Sequence, residues 1–445
     1  MTVTTSPSKT PTSIFPLLLV NFIGSLGYSI IMPFLVFLVT RFGGNAVIYG
    51  ILGSVYPTFQ LVGAPILGKW SDKYGRRKIL LLSQAGTLLS WFIFLAALLI
   101  PKETPPIANF TSSALGVFAL TVPLLILFLA RALDGLTGGN ISVANAYLAD
   151  ISDESNRKAN FGKLSASSSL GFILGPVLAG VLGATKYGEI IPVFAAIIIS
   201  TVAVFVIYKF LPESKCEPLD EHIQQDGLEK ILSQEHKDCY TVEESKITFK
   251  QLLQIKHMPY MFLLYFLIFL GFNIFYTAFP IHAVNKAGLN WKLLDLGIFF
   301  SILSGMMVLV NGPLLSYLSK RISDEKLVVI GSFILGFHFV LISFNNEVLV
   351  YLAILFFALG NGLMWASFLS ILSKIPPAQY QGYVQGVANS FGSLASIIGL
   401  IVGGVIYSSL GATTFMLAAI VIFGVAFACL PMLRFQYTHN ETIKD

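Results

Sequence analysis

The chain has 445 residues, of which 55% are hydrophobic and only 11% are charged, and its net charge is +5. Soluble proteins usually contain about 25% charged residues, so this composition and a mean hydropathy of +0.77 exclude a soluble protein and indicate a lipid bilayer as the solvent. The small positive charge follows from the membrane topology described below and requires no nucleic-acid partner.

Apolar segments long enough to cross a bilayer recur along the chain. A membrane helix needs about 20 mostly apolar residues, and these segments lack the alternation of strands. Twelve helices are predicted, at 14–39, 47–69, 79–101, 121–148, 161–184, 190–211, 257–282, 293–318, 327–345, 348–374, 383–408 and 411–434. The sequence therefore predicts an all-α integral membrane protein with two six-helix bundles, 14–211 and 257–434.

The basic residues predict the orientation. Of the 28 lysines and arginines, 22 fall on the side of the N-terminus, five fall on the opposite side and Arg131 lies inside the membrane. Cytoplasmic segments carry the excess of Lys and Arg in membrane proteins. We therefore expect a multi-pass protein of the plasma membrane, or of the inner membrane in a bacterium. Tail 1–13, linker 212–256 and tail 435–445 are then cytoplasmic.

The linker contains the residues that would suggest a metal site, namely Cys216, His222, His236 and Cys239. Their spacing does not match the paired C-x2-C of zinc knuckles, so we expect solvated linker residues and no metal. The chain also lacks the H-E-x-x-H, G-x-x-x-x-G-K-[ST] and G-x-S-x-G patterns. We expect neither an enzyme nor a cofactor.

The two halves resemble each other weakly. A shift of 248 positions aligns Pro65 with Pro313, and a shift of 224 aligns Gly175 with Gly399. The copies fall in the second and fifth helices of each half. Two such repeats around a central site are typical of transporters that work by alternating access.

A short charged segment between the second and third helices identifies a family. "GKWSDKYGRRKIL" resembles the signature of the major facilitator superfamily at this position, through the residues Gly68, Asp72, Lys73, Gly75, Arg76, Arg77 and Lys78. "ARALDGLTGGN" resembles the fourth-helix signature through Arg131 and Gly135. "GFILGPVLAG" resembles the fifth-helix signature of antiporters through Gly171, Gly175, Pro176 and Gly180.

Residues 60–215 are similar to tetracycline and multidrug exporters of the twelve-helix drug:proton antiporter group. The resemblance implies the major facilitator fold and proton-coupled export. It also implies that the charged segment is a conformational latch, in which Asp72 stabilises only the state closed to the cytoplasm and Asp150 is a candidate partner for Arg76 and Arg77. The alternative is that these charges only enforce topology.

Three glycines of the predicted fifth helix have a spacing typical of close helix packing. Gly171, Gly175 and Gly180 are expected on roughly one face, where another helix approaches closely. Pro176 removes a hydrogen bond and bends the helix. Close packing alone and a role in sealing the outer gate are both compatible with this pattern.

Arg131 and Asp134 are the plainly intramembrane charges. An ionisable group in a membrane helix costs at least about 2.5 kcal/mol, so both should face the cavity. Three interpretations stay open, namely a structural ion pair, proton binding by Asp134, and direct substrate binding. The family usually has a neutral amide where this chain has Asp134, and the first helix offers no carboxylate, so any proton coupling is relocated.

Other polar and aromatic residues at membrane depth are candidates for lining a substrate cavity: Tyr28, Tyr56, Gln60, Asn273, Tyr276, Asn311, Asn361, Trp365 and Asn389. We expect a monomer that exchanges a small organic or drug-like molecule for protons across the lipid bilayer. The alternatives are an importer or facilitator of a sugar, amino acid or organic acid, and a receptor or scaffold without transport.

Overall fold

The structure is a computed structural model that describes residues 14–101, 105–112, 115–138, 140–152, 154–214, 248–376 and 381–434. At some helical positions, Asp72 among them, it describes the backbone alone. Within these ranges eleven helices are long and apolar enough to cross a membrane, and a bent helix pair at the start of the chain supplies a twelfth. The predicted all-helical membrane fold is confirmed.

We number the membrane-crossing segments span 1 to span 12. The first half comprises span 1 (Phe15–Ile30 and Met32–Arg41), span 2 (Ala46–Tyr74), span 3 (Arg76–Leu99), span 4 (Val122–Thr137 and Asn140–Ile151), span 5 (Glu154–Gly183) and span 6 (Ile190–Phe210). We call the face where span 1 begins, predicted to be cytoplasmic, the inner face, and the opposite one the outer face.

The second half starts with a short helix, Phe249–Gln254, in a region predicted as linker. It continues with span 7 (Met258–Val284), span 8 (Leu293–Leu309, a π-helical turn at Val310–Leu314, and Leu315–Leu318), span 9 (Asp324–Ile342), span 10 (Glu347–Lys374), span 11 (Gln381–Leu410) and span 12 (Thr413–Ala428, followed by a 3-10 turn at Leu430–Arg434).

Span 1 is broken, whereas the sequence predicted one continuous helix. Its two helices are bent by 41° relative to each other. Pro33 stands at the start of the second helix. Proline has no N–H with which to continue the hydrogen bonds of the first helix, which accounts for the break.

A β-hairpin that the sequence did not predict lies between spans 3 and 4, at the outer face. Strand β1 (Ala108–Ser112) pairs antiparallel with β2 (Gly116–Leu120). The Ala119 N–H donates to Gly43 O at 2.8 Å, and Asn45 Nδ2 donates to Leu115 O at 2.7 Å. The hairpin is therefore bonded to the loop between spans 1 and 2.

Close contacts between the two halves lie near the outer face. A Cβ on Gly180 of span 5 would meet Gly297 Cα of span 8 at 3.0 Å, and a Cβ on Gly404 of span 11 would meet Val47 Cα of span 2 at 3.2 Å. Spans 2 and 8, and spans 5 and 11, are the pairs that the internal repeat predicted to be equivalent. The two contacts are thus related by the same repeat.

The hydrophobic clusters indicate which face is closed. One large cluster combines Ile48 and Leu52 of the first half with Phe275 and Phe279 of the second. A separate cluster near the inner face, which includes Leu67, draws its described buried residues from the first half alone. The described conformation is therefore closed at the outer face.

Candidate functional site

Arg131 and Asp134 form an ion pair on span 4, at membrane depth. Arg131 Nη1 lies 3.4 Å from Asp134 Oδ2, and the two side chains are 5% and 18% exposed. Thr87 of span 3 donates from Oγ1 to Asp134 Oδ1 at 3.0 Å. Each carboxylate oxygen thus has one donor and retains a lone pair. This arrangement is able to accept a proton.

Aromatic rings from three other spans complete this site. The Arg131 guanidinium lies 4.8 Å from the centre of the Tyr56 ring, close enough for a cation–π interaction. The Tyr28 ring lies 5.3 Å from that of Tyr56 and 6.0 Å from Phe172 of span 5. Tyr28 and Tyr56 were candidates from sequence, and the structure brings both to the ion pair.

Spans 2 and 4 approach closely at this level because glycines face the neighbouring backbone. A Cβ on Gly63 would collide with Leu136 of span 4, and one on Gly135 would lie 2.9 Å from Phe59 Cβ of span 2. Gln60 Nε2 donates to Tyr56 Oη at 3.1 Å and to Gly138 O at 2.9 Å. Gln60 therefore binds the carbonyl where the first helix of span 4 ends.

The second half contributes an aromatic and amide group nearer the inner face. The Tyr265 ring lies 4.9 Å from Phe269 and 5.2 Å from Trp365, and Tyr265 Oη donates to Asn389 Oδ1 at 3.0 Å. Tyr276 packs instead against phenylalanines of its own span. Sequence analysis missed Tyr265 and Phe269 because nothing in an apolar run distinguishes them from core residues.

Two of the three remaining candidate amides have partners within the second half. Asn273 Nδ2 donates to Ser396 Oγ of span 11 at 3.0 Å. Asn361 Nδ2 lies 3.6 Å from Met307 Sδ of span 8. Asn311 stands in the π-helical turn of span 8 and is exposed. Of the nine candidates, Tyr28, Tyr56 and Gln60 thus lie in the first half and the other six lie in the second, and we call these two groups the two walls.

A second polar cluster lies at the inner face, where span 2 ends and span 3 begins. Gly75 joins them with φ +97, a conformation that L side chains rarely adopt. Arg76 Nε lies 3.1 Å from Asp150 Oδ2 of span 4, and Arg76 Nη1 donates to Ser71 Oγ at 2.6 Å. The turn and its arginine are thus joined to the end of span 4.

Glu213, just after span 6, is a member of this cluster that sequence analysis missed. Its carboxylate accepts hydrogen bonds from the backbone N–H groups of Arg76 at 2.7 Å and Arg77 at 3.2 Å. The Arg77 guanidinium in turn donates to the carbonyls of Ile207 and Tyr208 at the end of span 6. Spans 3 and 6 therefore cap each other's ends, which complements both helix dipoles.

The structure shows fewer contacts for two further residues of the charged segment between spans 2 and 3, Gly68 and Asp72. Gly68 faces open space, since a Cβ there would meet no atom within 4 Å, and its carbonyl accepts from Ser71 Oγ at 2.7 Å. Asp72 lies in the last turns of span 2. Its side chain lies outside the described part of the structure.

The expectation that Gly171, Gly175 and Gly180 share one face is wrong. A Cβ on Gly171 would meet Leu26 N of span 1 at 2.7 Å, and one on Gly175 would meet Ile30 N at 2.9 Å, whereas Gly180 contacts span 8. At about 100° per residue, the nine steps from Gly171 to Gly180 make about two and a half turns, so Gly180 lies about half a turn around the helix from Gly171. The segment thus packs on its own half and touches the other half.

Pro176 lies within span 5, between these two contacts. Its carbonyl faces span 8, because a Cβ on Gly297 would lie 3.1 Å from it. Residues 171–180 of span 5 therefore contact both span 1 and span 8.

No group of three or more metal-ligating side chains occurs among the residues that the structure describes. The linker residues Cys216, His222, His236 and Cys239 lie outside that part of the chain.

Comparison with known proteins identifies the family. The model of the Major Facilitator Superfamily matches residues 17–400 and 312–444.

The chain belongs to the Major Facilitator Superfamily. It is 27% identical over 405 residues to the class D tetracycline resistance protein of Salmonella ordonez, covering 88% of each chain. It is 25% identical over 404 residues to Multidrug resistance protein 2 of Bacillus subtilis (strain 168), covering 89% of each.

Among solved structures, the chain resembles a D-xylose–proton symporter with a TM-score of 0.72 at 16% identity, covering 95% of this chain and 98% of the symporter. At that identity the likeness concerns the fold alone. The superfamily consists of transporters, so this chain is a multi-pass membrane transporter of small molecules and not an enzyme.

Proposed function

We propose that this superfamily member is a proton-coupled exporter of small organic or drug-like molecules, working by alternating access. It acts as a monomer with both termini in the cytoplasm, in the plasma membrane or a bacterial inner membrane. The names of the relatives, tetracycline resistance and multidrug resistance, favour export. The observation that carries the proposal is the buried Arg131–Asp134 pair beside the aromatic wall of the first half.

Asp134 is the proposed proton carrier. With its carboxylate ionised, Asp134 is paired with Arg131 at 3.4 Å. Protonation removes the negative charge and leaves the guanidinium with the Tyr56 ring as its principal contact. Proton binding therefore changes the charge of the wall against which a substrate rests, which lets proton and substrate exclude each other as an exporter requires.

The substrate cavity is proposed to lie between the two walls. Tyr28 and Tyr56 supply aromatic surface on one side, and Trp365 with Asn389 supplies aromatic and amide groups on the other. Apolar walls with a few polar groups suit amphipathic organic molecules. The candidates Gln60, Asn273, Tyr276, Asn311 and Asn361 complete the proposed lining.

The inner-face cluster is proposed as the latch that closes the cytoplasmic side. Gly75 makes the turn, Arg76 and Asp150 fix it to span 4, and Asp72 engages the other half only in the closed state. Gly68 and Arg77 complete it. At the outer face, the contact of Gly180 with span 8 supports a role for residues 171–180 in sealing the outer gate.

The experiment is transport into liposomes by the purified chain, with tetracycline and the cationic dye ethidium as probes. For molecules whose inner face is on the vesicle exterior, an exporter accumulates probe when the lumen is acidic. Asp134→Asn should abolish this accumulation and preserve probe binding. The matched control is Glu189→Gln, which removes a carboxylate paired with Arg41 at 3.1 Å near the outer face.

Accumulation of probe by Asp134→Asn at the wild-type level would show that the pair is structural only. Accumulation in the same direction as the protons, with the exterior acidic, would favour the nutrient importer instead.

A further inference from the structure

A small pocket lies behind the ion pair, on the side of spans 1 and 3. It has room for about one water molecule. Besides Arg131 and Asp134, its lining residues are Ile31, Ser90, Trp91, Phe94 and Ala130.

Arg131 has a donor in this region that no described group satisfies. Arg131 is 4% exposed, and its Nε is buried without a hydrogen-bond partner. Leaving such a buried donor unsatisfied is energetically costly, and more so when the group is charged. A buried water typically makes about three hydrogen bonds, and the lining offers Arg131 Nε, the Asp134 carboxylate and the Ser90 hydroxyl.

We propose that this pocket binds a water molecule that relays protons to and from Asp134, by a route separate from the substrate cavity. The inference rests on the proposed proton coupling. The water accepts a proton from the outer side and donates one of its own to an Asp134 carboxylate oxygen. One O–H bond forms on the water and another breaks, so the water is restored after the transfer. The net result is one new O–H bond on Asp134.

The two sides of the ion pair differ in chemistry, which supports separate routes. The substrate side has the titratable groups Tyr28 and Tyr56, in contact with each other and, through Tyr56, with Arg131. On the pocket side, spans 1 and 3 contribute the neutral residues Ile31, Ser90, Trp91 and Phe94. A proton entering there meets no titratable group before Asp134 among the described lining residues.

The pocket adjoins the break in span 1, which gives it a lid. Ile31 is the residue between the two helices of span 1. Phe34, in the second helix, packs edge-on against Phe94 at 6.2 Å, and Trp91 lies 5.7 Å from Phe94. A change in this 41° bend would move these rings and admit a proton to the pocket from the outer face.

The first test detects the water itself. X-ray radiolytic footprinting oxidises side chains next to bound water, and its probe is the water alone. We expect Trp91 and Phe94 to be oxidised although they are 5% and 2% exposed. Ala130→Val, which adds two methyl groups at the pocket, should abolish this oxidation, and Ala130→Gly should preserve it. Absence of oxidation in the wild-type chain would overturn the proposal.

The second test measures the relay in liposomes with tetracycline and an acidic lumen. Ala130→Val should slow proton-driven accumulation by about a hundredfold or more, the lower end of the range for proton-transfer catalysis, and leave exchange of tetracycline without a gradient unchanged. Ser90→Val should have the same two effects as Ala130→Val. Ser332→Val is the control, because Ser332 is also buried and bonded to the carbonyl four residues before it.

The outcomes separate the two proposals. Undiminished accumulation by Ala130→Val and Ser90→Val overturns the relay and leaves proton coupling intact. The wild-type chain could instead show oxidation of Trp91 and Phe94 but no dependence of tetracycline accumulation on the pH gradient. This result would overturn both the relay and the proton coupling.

Discussion

Removing the Glu213 carboxylate should destabilise the inner end of the first half. Glu213→Ala deletes an acceptor for the first two backbone N–H groups of span 3, at 2.7 and 3.2 Å. Span 3 has no other side-chain cap at Gly75. Loss of a helix cap costs about 0.5–2 kcal/mol, and loss of a charge–dipole interaction costs about 0.3–1 kcal/mol. We expect a total of about 2 kcal/mol.

The assay is the free energy of unfolding from SDS titration of the purified chain. The matched control is Glu347→Ala, in the first turn of span 10, where Asn346 caps the helix through its side chain. This control loses only the charge–dipole contribution and should cost about 0.5 kcal/mol. Equal losses for the two variants would refute the inference that Glu213 caps span 3.

Three further predictions concern the transport cycle. Asp72→Asn should raise the labelling, from the inner face, of a cysteine introduced into the cavity while expression stays normal; unchanged labelling with full transport would leave only the topology role. Gly180→Leu should separate spans 5 and 8, because even a Cβ would lie 3.0 Å from Gly297 Cα, and should raise the labelling of an introduced cysteine from the outer face, whereas Gly424→Leu, where a Cβ would meet no atom within 4 Å, should not. Trp365→Ala should weaken tetracycline binding in a fluorescence titration by about tenfold, since stacking on such a ring contributes about 1.5 kcal/mol; an unchanged Kd would remove Trp365 from the cavity.

The membrane fold was predictable because lipid imposes a simple rule on the sequence. Every spanning segment must satisfy its own backbone hydrogen bonds and present apolar side chains, so hydropathy alone locates twelve spans. The pairing of Arg131 with Asp134 was equally accessible, since residues three positions apart share a helix face. Gly75 also follows from sequence, because a turn without intervening loop residues requires its positive φ.

What joins distant parts of the chain could not be predicted from one sequence. Thr87 and Tyr56 reach the ion pair from spans 3 and 2, Phe172 of span 5 packs against Tyr28 beside them, and no local pattern marks these residues as neighbours. Glu213 is separated from Arg76 by more than three spans, and only folding brings its carboxylate to the start of span 3. The bend of span 1 depends on Pro33, but its position beside the pocket depends on how spans 1, 3 and 4 pack. Local sequence thus determines which segments cross the membrane, whereas the contacts between spans decide where a charge, a cap or a pocket performs its chemistry.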